Sequence, residues 1–140
     1  MTPVEAIKSF FAKYADFSGR ARRSEYWWVT FANIVIGNVL YFVAVYPSLL
    51  RDLRHEAVDP LWFGLGTSIY VLYVLALLQP GIALVIRRLH DTGRSGWNYL
   101  MLLIPIAGAF VVLYFFTQEG TRGDNPYGPD PKARPRLASR

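Results

Sequence analysis

The chain of 140 residues has no cysteine, and acidic and basic residues are missing from three long stretches of it. Without cysteine it can form no disulfide, no thiolate metal site and no cysteine nucleophile. Charged residues make up 18% of the chain, against about 25% in a typical soluble domain. None of them occurs in 26–50, 61–86 or 97–116, which are 25, 26 and 20 residues long. Because roughly 20 apolar residues cross about 30 Å of hydrocarbon, the sequence excludes an ordinary soluble domain and predicts an all-α integral membrane protein with three transmembrane helices.

The polar leader before the first apolar stretch predicts an amphipathic helix over 2–18. Thr2 and Glu5 have the spacing of a capping box, and Pro3 suits the first helical position. Apolar residues then recur every three or four positions and share one face: Val4, Ile7, Phe10, Phe11, Tyr14 and Phe17. We expect this helix to lie in the headgroup region with its aromatic side chains toward the lipid, or alternatively to pack on a partner.

The first span carries a stripe of small and polar residues at steps of three and four: Thr30, Asn33, Gly37, Tyr41 and Ala44. The stripe predicts a face that contacts another helix; the alternative is a weakly polar span without a fixed interface. Pro80 in the second span and Pro105 in the third each predict a kink or a break. The tail, 117–140, is rich in Gly, Pro and Arg and is expected to be mostly extended. We interpret 1–140 as a single membrane domain.

Basic residues predict the orientation of the chain, because short basic loops stay in the cytoplasm. With three full spans, the leader and the 87–96 loop share 8 Lys and Arg residues, and the 51–60 loop and the tail share 7. The charges beside the first span usually dominate, so we expect a cytoplasmic N-terminus and an external tail. If 105–108 were instead the tip of a re-entrant hairpin, the tail would return to the cytoplasm. Such a hairpin needs its irregular backbone buried in protein.

Three polar clusters lie beside these spans: FSGRARRSEYWW at 17–28, RRLHDTGRSGW at 87–97 and GDNPYGPDP at 123–131. In this order, and with similar apolar runs between them, they resemble the membrane family catalogued as domain of unknown function 805. The resemblance covers about 14–131. Asn98 stands where members commonly have a second tryptophan, and Pro126 where a basic residue is usual. The resemblance implies a multi-pass protein of the bacterial inner membrane, and it implies no activity.

The clusters also offer groups for binding anionic lipid headgroups or a protein partner. An Arg near an anionic surface contributes on the order of 1 kcal/mol, and the same charges are what determines topology, so both interpretations stay open. Arg87 and Arg88 are expected to extend toward the headgroups, and Asp91 to accept a hydrogen bond from Arg94 or Arg22. The candidate residues are Arg20, Arg22, Arg23, Glu25, Trp27, Arg87, Arg88, His90, Asp91, Arg94, Trp97 and Asn125.

Other functional classes find less support in the sequence. An enzyme at the lipid surface would use His90, Asp91 and Ser95, but adjacent residues on a helix point apart, and no spacing predicts a metal or a cofactor. A small transport or channel component is the alternative function; it would be a homo-oligomer, since three helices enclose little space. No Asp, Glu, Lys, Arg or His lies at membrane depth, which counts against ion-coupled transport. The net charge of +5 favours the anionic leaflet over nucleic acid as partner. We therefore expect a non-enzymatic membrane protein.

Overall fold

The computed structural model describes residues 1–133, which form helices joined by turns. In chain order these are α1 (Pro3–Ala12), α2 (Arg23–Leu40), a π-helical turn (Tyr41–Val45), α3 (Tyr46–Leu53), α4 (Pro60–Asp91), a 3₁₀ helix (Gly96–Leu103) and α5 (Ala107–Thr117). The described residues contain no strand beyond an isolated bridge between Asn125 and Gly128. The prediction of an all-α chain is confirmed. Residues 134–140 of the predicted tail lie outside the described residues.

Helix α1 begins directly after Thr2, as the capping box predicts, but it ends at Ala12 and not at the predicted residue 18. The Thr2 hydroxyl accepts the N–H of Glu5, and the Glu5 carboxylate accepts the N–H of Thr2. After Ala12 the chain turns, and the Asp16 carboxylate binds the N–H of Ser18, which offers the backbone an alternative to the helix. The apolar face of α1 is divided, because Ala6 and Phe10 are buried against Val29 and Leu84 while its other large apolar side chains are exposed.

Two continuous helical segments are long and apolar enough to cross a membrane. The first comprises α2, the π-helical turn and α3, together Arg23–Leu53 with 31 residues, and the second is α4 with 32 residues. Both extend beyond the predicted 26–50 and 61–86, because polar residues at their ends also adopt helical structure. The π-helical turn directly precedes Pro47, whose missing N–H disturbs the normal ladder.

Helix α4 continues through Pro80 without a break. A proline at this position cannot donate to the carbonyl of Ala76, four residues earlier, and leaves that carbonyl without its helical partner. The Tyr14 hydroxyl, from the segment after α1, donates to the carbonyl of Ala76. The leader therefore supplies the hydrogen bond that Pro80 removes.

The stripe predicted on the first span faces α4, as the sequence indicates. The Tyr73 hydroxyl donates to Asn33 Oδ1 at 3.1 Å, and the rings of Tyr41 and Tyr70 lie 5.9 Å apart in an edge contact. Farther along, a methyl group on Gly66 would overlap the carbonyl of Ala44. Close backbone approach and interhelical hydrogen bonds are the contacts that hold helices together in lipid.

The third apolar stretch, 97–116, forms a hairpin and not one helix. The 3₁₀ helix and α5 pack so closely that a methyl group on Gly108 would overlap the carbonyl of Met101. Between them Ile106 has φ +62° and ψ −61°, the geometry of a γ-turn. After α5 the N–H of Thr121 donates to the carbonyl of Asp91 at 2.8 Å. The segment therefore leaves and returns at the same end of the bundle, so a third full span is not confirmed, and the hairpin alternative has the observed geometry.

Candidate functional site: a buried charged cap

The three polar clusters of the sequence meet at one end of the bundle. The N–H of Ala21 donates to the carbonyl of Arg87 at 3.0 Å, and the tail reaches α4 through Thr121 and Asp91. We call the assembly of residues 17–28, 87–97 and 119–132 the polar cap. It contains all of the candidate residues that the sequence predicts.

The centre of the polar cap is the carboxylate of Asp91, of which 2% is exposed. Its Oδ1 accepts from Nε of Arg20 at 3.1 Å, and its Oδ2 accepts from Nη1 of Arg88 at 2.6 Å. Gly120 packs directly on this carboxylate, where a methyl group would overlap Oδ2. The carboxylate thus joins the leader, the end of α4 and the tail. The predicted partners were wrong: Arg94 lies over the ring of Phe115 at 4.1 Å, and Arg22 donates to the carbonyl of Pro131.

The same two arginines also bind backbone carbonyls. Arg20 donates to the carbonyls of Thr121 and Gly123, the latter at 2.6 Å. Arg88 donates to the carbonyls of Phe116, at 3.2 Å, and Gln118. The last carbonyls of a helix lack intrahelical partners and carry partial negative charge, so Arg88 caps the C-terminus of α5. These bonds hold the hairpin and the tail against α4.

A second ion pair ties the leader helix to the cap. Nη1 of Arg87 lies 3.3 Å from Oε1 of Glu25, and the Ser9 hydroxyl donates to the same oxygen at 2.9 Å. Arg87 and Arg88 are both 0% exposed. Both side chains were expected to extend toward the headgroups, but they are buried. Glu25 and Asp91 compensate their charges inside the protein.

His90 is part of the packing of the tail. Its ring stacks on that of Tyr127, with 4.1 Å between centroids and 4° between planes, and its Nδ1 lies 3.2 Å from the carbonyl of Gly19. The Asn125 side chain donates to the backbone carbonyl of His90 at 2.9 Å. Nearby, the N–H groups of Lys132 and Gly123 bind the Asp130 carboxylate and hold the pKa of Asp130 below its ordinary value.

His90, Asp91 and Ser95, which the sequence offers for an enzyme at the lipid surface, make separate contacts in the structure. The Ser95 hydroxyl accepts the N–H of Trp97 and caps the 3₁₀ helix, and the structure records no bond from Ser95 to His90. Within residues 1–133, no group of three or more His, Cys, Asp or Glu side chains is placed to hold a metal ion.

The remaining candidates lie on the outside of the cap. Trp97 is 79% exposed, and Trp27 is exposed at the margin of α2. Arg23 is exposed and makes a single hydrogen bond, to the carbonyl of Thr117 at 3.3 Å. Arg122 and Lys132 are also exposed cations of this surface; the sequence analysis missed both, although their position beside the third cluster was a signal. The structure thus separates interior arginines from exterior ones.

Comparison with known proteins places the chain among membrane proteins. The family described as Protein of unknown function (DUF805) matches residues 14–129. Inner membrane protein YhaI of Escherichia coli (strain K12) is 41% identical over 124 residues, which cover 89% of this chain and 92% of that protein. Inner membrane protein YhaH of the same strain is 40% identical over 122 residues, covering 87% and 92%. No solved structure matches the chain.

Proposed function

The chain belongs to the DUF805 family, an uncharacterised family with inner membrane proteins among its members, and we propose that it is a non-enzymatic, multi-pass protein of the bacterial inner membrane. We further propose that it binds anionic lipid headgroups. The binding groups are the exposed cations and tryptophans of the polar cap. The buried arginines of the cap have a different task, which is to hold the leader, α4, the hairpin and the tail together.

The topology we propose has two full crossings, Arg23–Leu53 and α4, and one re-entrant hairpin. The support is the bond between Thr121 and Asp91, which brings the tail to the end of the bundle that also holds the leader. The 3₁₀ arm has 8 residues and α5 has 11, so at about 2.0 and 1.5 Å per residue each arm is about 16 Å long. Arms of that length reach about halfway through the roughly 30 Å of hydrocarbon.

With this topology, the positive-inside rule clearly favours one orientation of the chain in the membrane. With the tail beside the leader, 10 of the 12 Lys and Arg residues within 1–133 belong to segments at the cap end. The loop at the other end, 51–60, has two arginines and three acidic residues. Because basic loops stay inside, we propose that the polar cap, the N-terminus and the tail are cytoplasmic.

The one observation that carries the lipid-binding proposal is this concentration of cations at a single end of the bundle. Within residues 1–133 the three ion pairs use Arg20, Arg87 and Arg88, and Arg23 and Arg122 remain exposed without a recorded ion pair. Trp27 and Trp97 are exposed on the same end, and tryptophan is enriched at the headgroup level of membranes. Cations beside such a belt are attracted to the anionic leaflet.

The test removes two exposed cap charges and leaves the buried network intact. We expect the double variant Arg23→Gln, Arg122→Gln to lose roughly 30-fold in affinity for anionic phospholipid, since each charge contributes on the order of 1 kcal/mol near the surface. Native mass spectrometry of the detergent-purified protein, titrated with phosphatidylglycerol and with phosphatidylcholine, measures the retention.

The matched control is Arg51→Gln, Arg54→Gln, which removes two exposed arginines from the opposite end. We expect this control to retain anionic lipid like the unchanged protein. Equal retention by all three proteins, each with an unchanged melting temperature, would defeat the proposal, and so would an equal loss in both double variants.

A further inference from the structure

The hairpin ends in a strained, apolar and exposed tip. We call residues 103–106 the hairpin tip; Leu103 is 78% and Ile106 is 81% exposed. A positive φ is rare for a β-branched residue, so the backbone of Ile106 is strained. Among the described residues, no acceptor is recorded for the N–H of Ile106. The tip therefore presents apolar side chains together with a free backbone donor.

The depth of the tip makes this donor costly. With arms of about 16 Å, the tip lies near the centre of a hydrocarbon layer of roughly 30 Å. An unpaired backbone group there costs several kcal/mol, and irregular backbone at that depth occurs where protein covers it. An acyl chain has no acceptor along its length, so lipid alone does not satisfy the N–H of Ile106.

The chain also has a concave surface at the same depth. A groove of about 760 Å³ lies mainly between α2 and α4 and is also lined by Phe10 of α1, Tyr41 of the π-helical turn and Tyr99 of the 3₁₀ helix. We call it the α2–α4 groove. Every residue that lines it is uncharged; among them are Asn33, Gly37, Asn38, Tyr70, Tyr73 and Gly81. Asn33 is ten residues from the cap end of α2, and Gly81 is ten residues from that of α4, which places both about 15 Å from the cap.

Two features of the groove suit the tip. A methyl group added to Gly81 would meet nothing within 4 Å, so the wall is open at this level. The side-chain oxygen of Asn33 accepts one hydrogen bond, from Tyr73, and an amide oxygen has a second lone pair for another donor. The groove thus offers space and an acceptor at the depth of the tip.

We propose that the hairpin tip of one copy of this chain docks in the α2–α4 groove of a second copy. The tip and the groove lie at about the same distance from the polar cap. Two copies with the same orientation in one membrane have their caps at the same level, so the tip of one copy is at the depth of the groove of the other. For this reason the occupant that we propose is a second copy. Both surfaces are uncharged, which removes the cost of burying a charge in lipid. With such a contact, two copies can form a dimer in which each tip occupies the groove of the other, or several copies can form a closed ring. This proposal rests on the re-entrant topology proposed above and is independent of lipid binding at the cap.

The absence of native cysteine makes a disulfide test specific. Two chains with different affinity tags are reconstituted together, one carrying Ile106→Cys and the other Gly81→Cys, and are then oxidised. We expect a disulfide-linked dimer that carries both tags, because a disulfide forms where the Cα atoms approach within about 7 Å. The control is Gln79→Cys, an exposed position on α4 outside the groove lining, for which we expect about tenfold less dimer.

Other occupants of the groove give other results, and each of them overturns the proposal. Equal linkage to Gln79→Cys, or linkage of Ile106→Cys only to itself, would mean that the groove is not the contact. A monomer for the unchanged protein in nanodiscs, measured by mass photometry, would mean that lipid or a different protein covers the tip. That measurement needs no variant and so does not depend on whether the cysteine variants fold.

Discussion

At the scale of single residues, Asp91 shows how this protein accommodates buried charges. Its carboxylate lies between two guanidinium groups, all three buried. Taking such groups out of water is expensive, and attraction repays the cost only when geometry and further hydrogen bonds are good. Here the arginines also bind carbonyls of the tail and of the end of α5. The two ion pairs of Asp91 therefore contribute by holding the leader, the hairpin and the tail against α4.

Removing the charge of Asp91 should be strongly destabilising. In Asp91→Asn, Arg20 and Arg88 would remain buried without a compensating charge, a situation that costs about 3–5 kcal/mol. We expect a clearly lower melting temperature, measured by circular dichroism in detergent. The control is Asp52→Asn in the exposed loop, which should melt like the unchanged protein. Equal melting of the two variants would contradict a structural role for the buried carboxylate.

At the scale of the elements, the two long helices depend on close contact at few points. Where α4 crosses the π-helical turn, Gly66 lies against the carbonyl of Ala44, while Gly64 has nothing within 4 Å of an added methyl group. The two glycines are two positions apart on the same helix and differ only in their surroundings. They form a matched pair for substitution.

Gly66→Ala and Gly64→Ala should have effects of opposite sign. A methyl group at Gly66 would push the helices apart, and overpacking of this kind costs about 1–3 kcal/mol. At Gly64 the same change meets no neighbour, and alanine is favoured over glycine in a helix by about 1 kcal/mol. We expect the melting temperature to fall for Gly66→Ala and to stay or rise for Gly64→Ala. A fall of similar size in both would contradict the contact.

Helix α4 also shows how separate elements correct each other. Pro80 alone predicts a break, and the carbonyl that it leaves free accepts from Tyr14, more than 60 residues earlier in the chain. A proline inside a helix does leave one carbonyl without its helical partner, but whether the helix then breaks depends on whether another segment supplies a donor.

At the scale of the whole molecule, the topology proposed for the hairpin determines on which side of the membrane the chain is expected to end. Charge counting with three full spans gives 8 basic residues against 7, which barely discriminates. When the tail returns to the cap, 10 of the 12 Lys and Arg residues within 1–133 belong to segments at one end. A single backbone contact thus changes the expected topology of the chain.

The position of the C-terminus tests this topology. We expect a fluorescent protein fused after Arg140 to be active in the cytoplasm, and alkaline phosphatase at the same place to be inactive. The control is a truncated chain fused after Asp59, in the loop at the other end, for which the two reporters should behave in the opposite way. An active phosphatase after Arg140 would contradict the re-entrant hairpin and favour three full crossings.

Local sequence patterns were enough to predict the helical class, the two long apolar helices, the capping box of α1, the contact face of α2 and the family. These properties follow from local order, because periodicity and hydropathy act within one turn or one span. Which arginines are buried depends instead on tertiary contacts. Arg20 and Asp91 are 71 residues apart, and no local pattern connects them. The path of the hairpin was likewise decided by long-range bonds, since an apolar stretch of 20 residues is compatible both with one crossing and with two half-crossings.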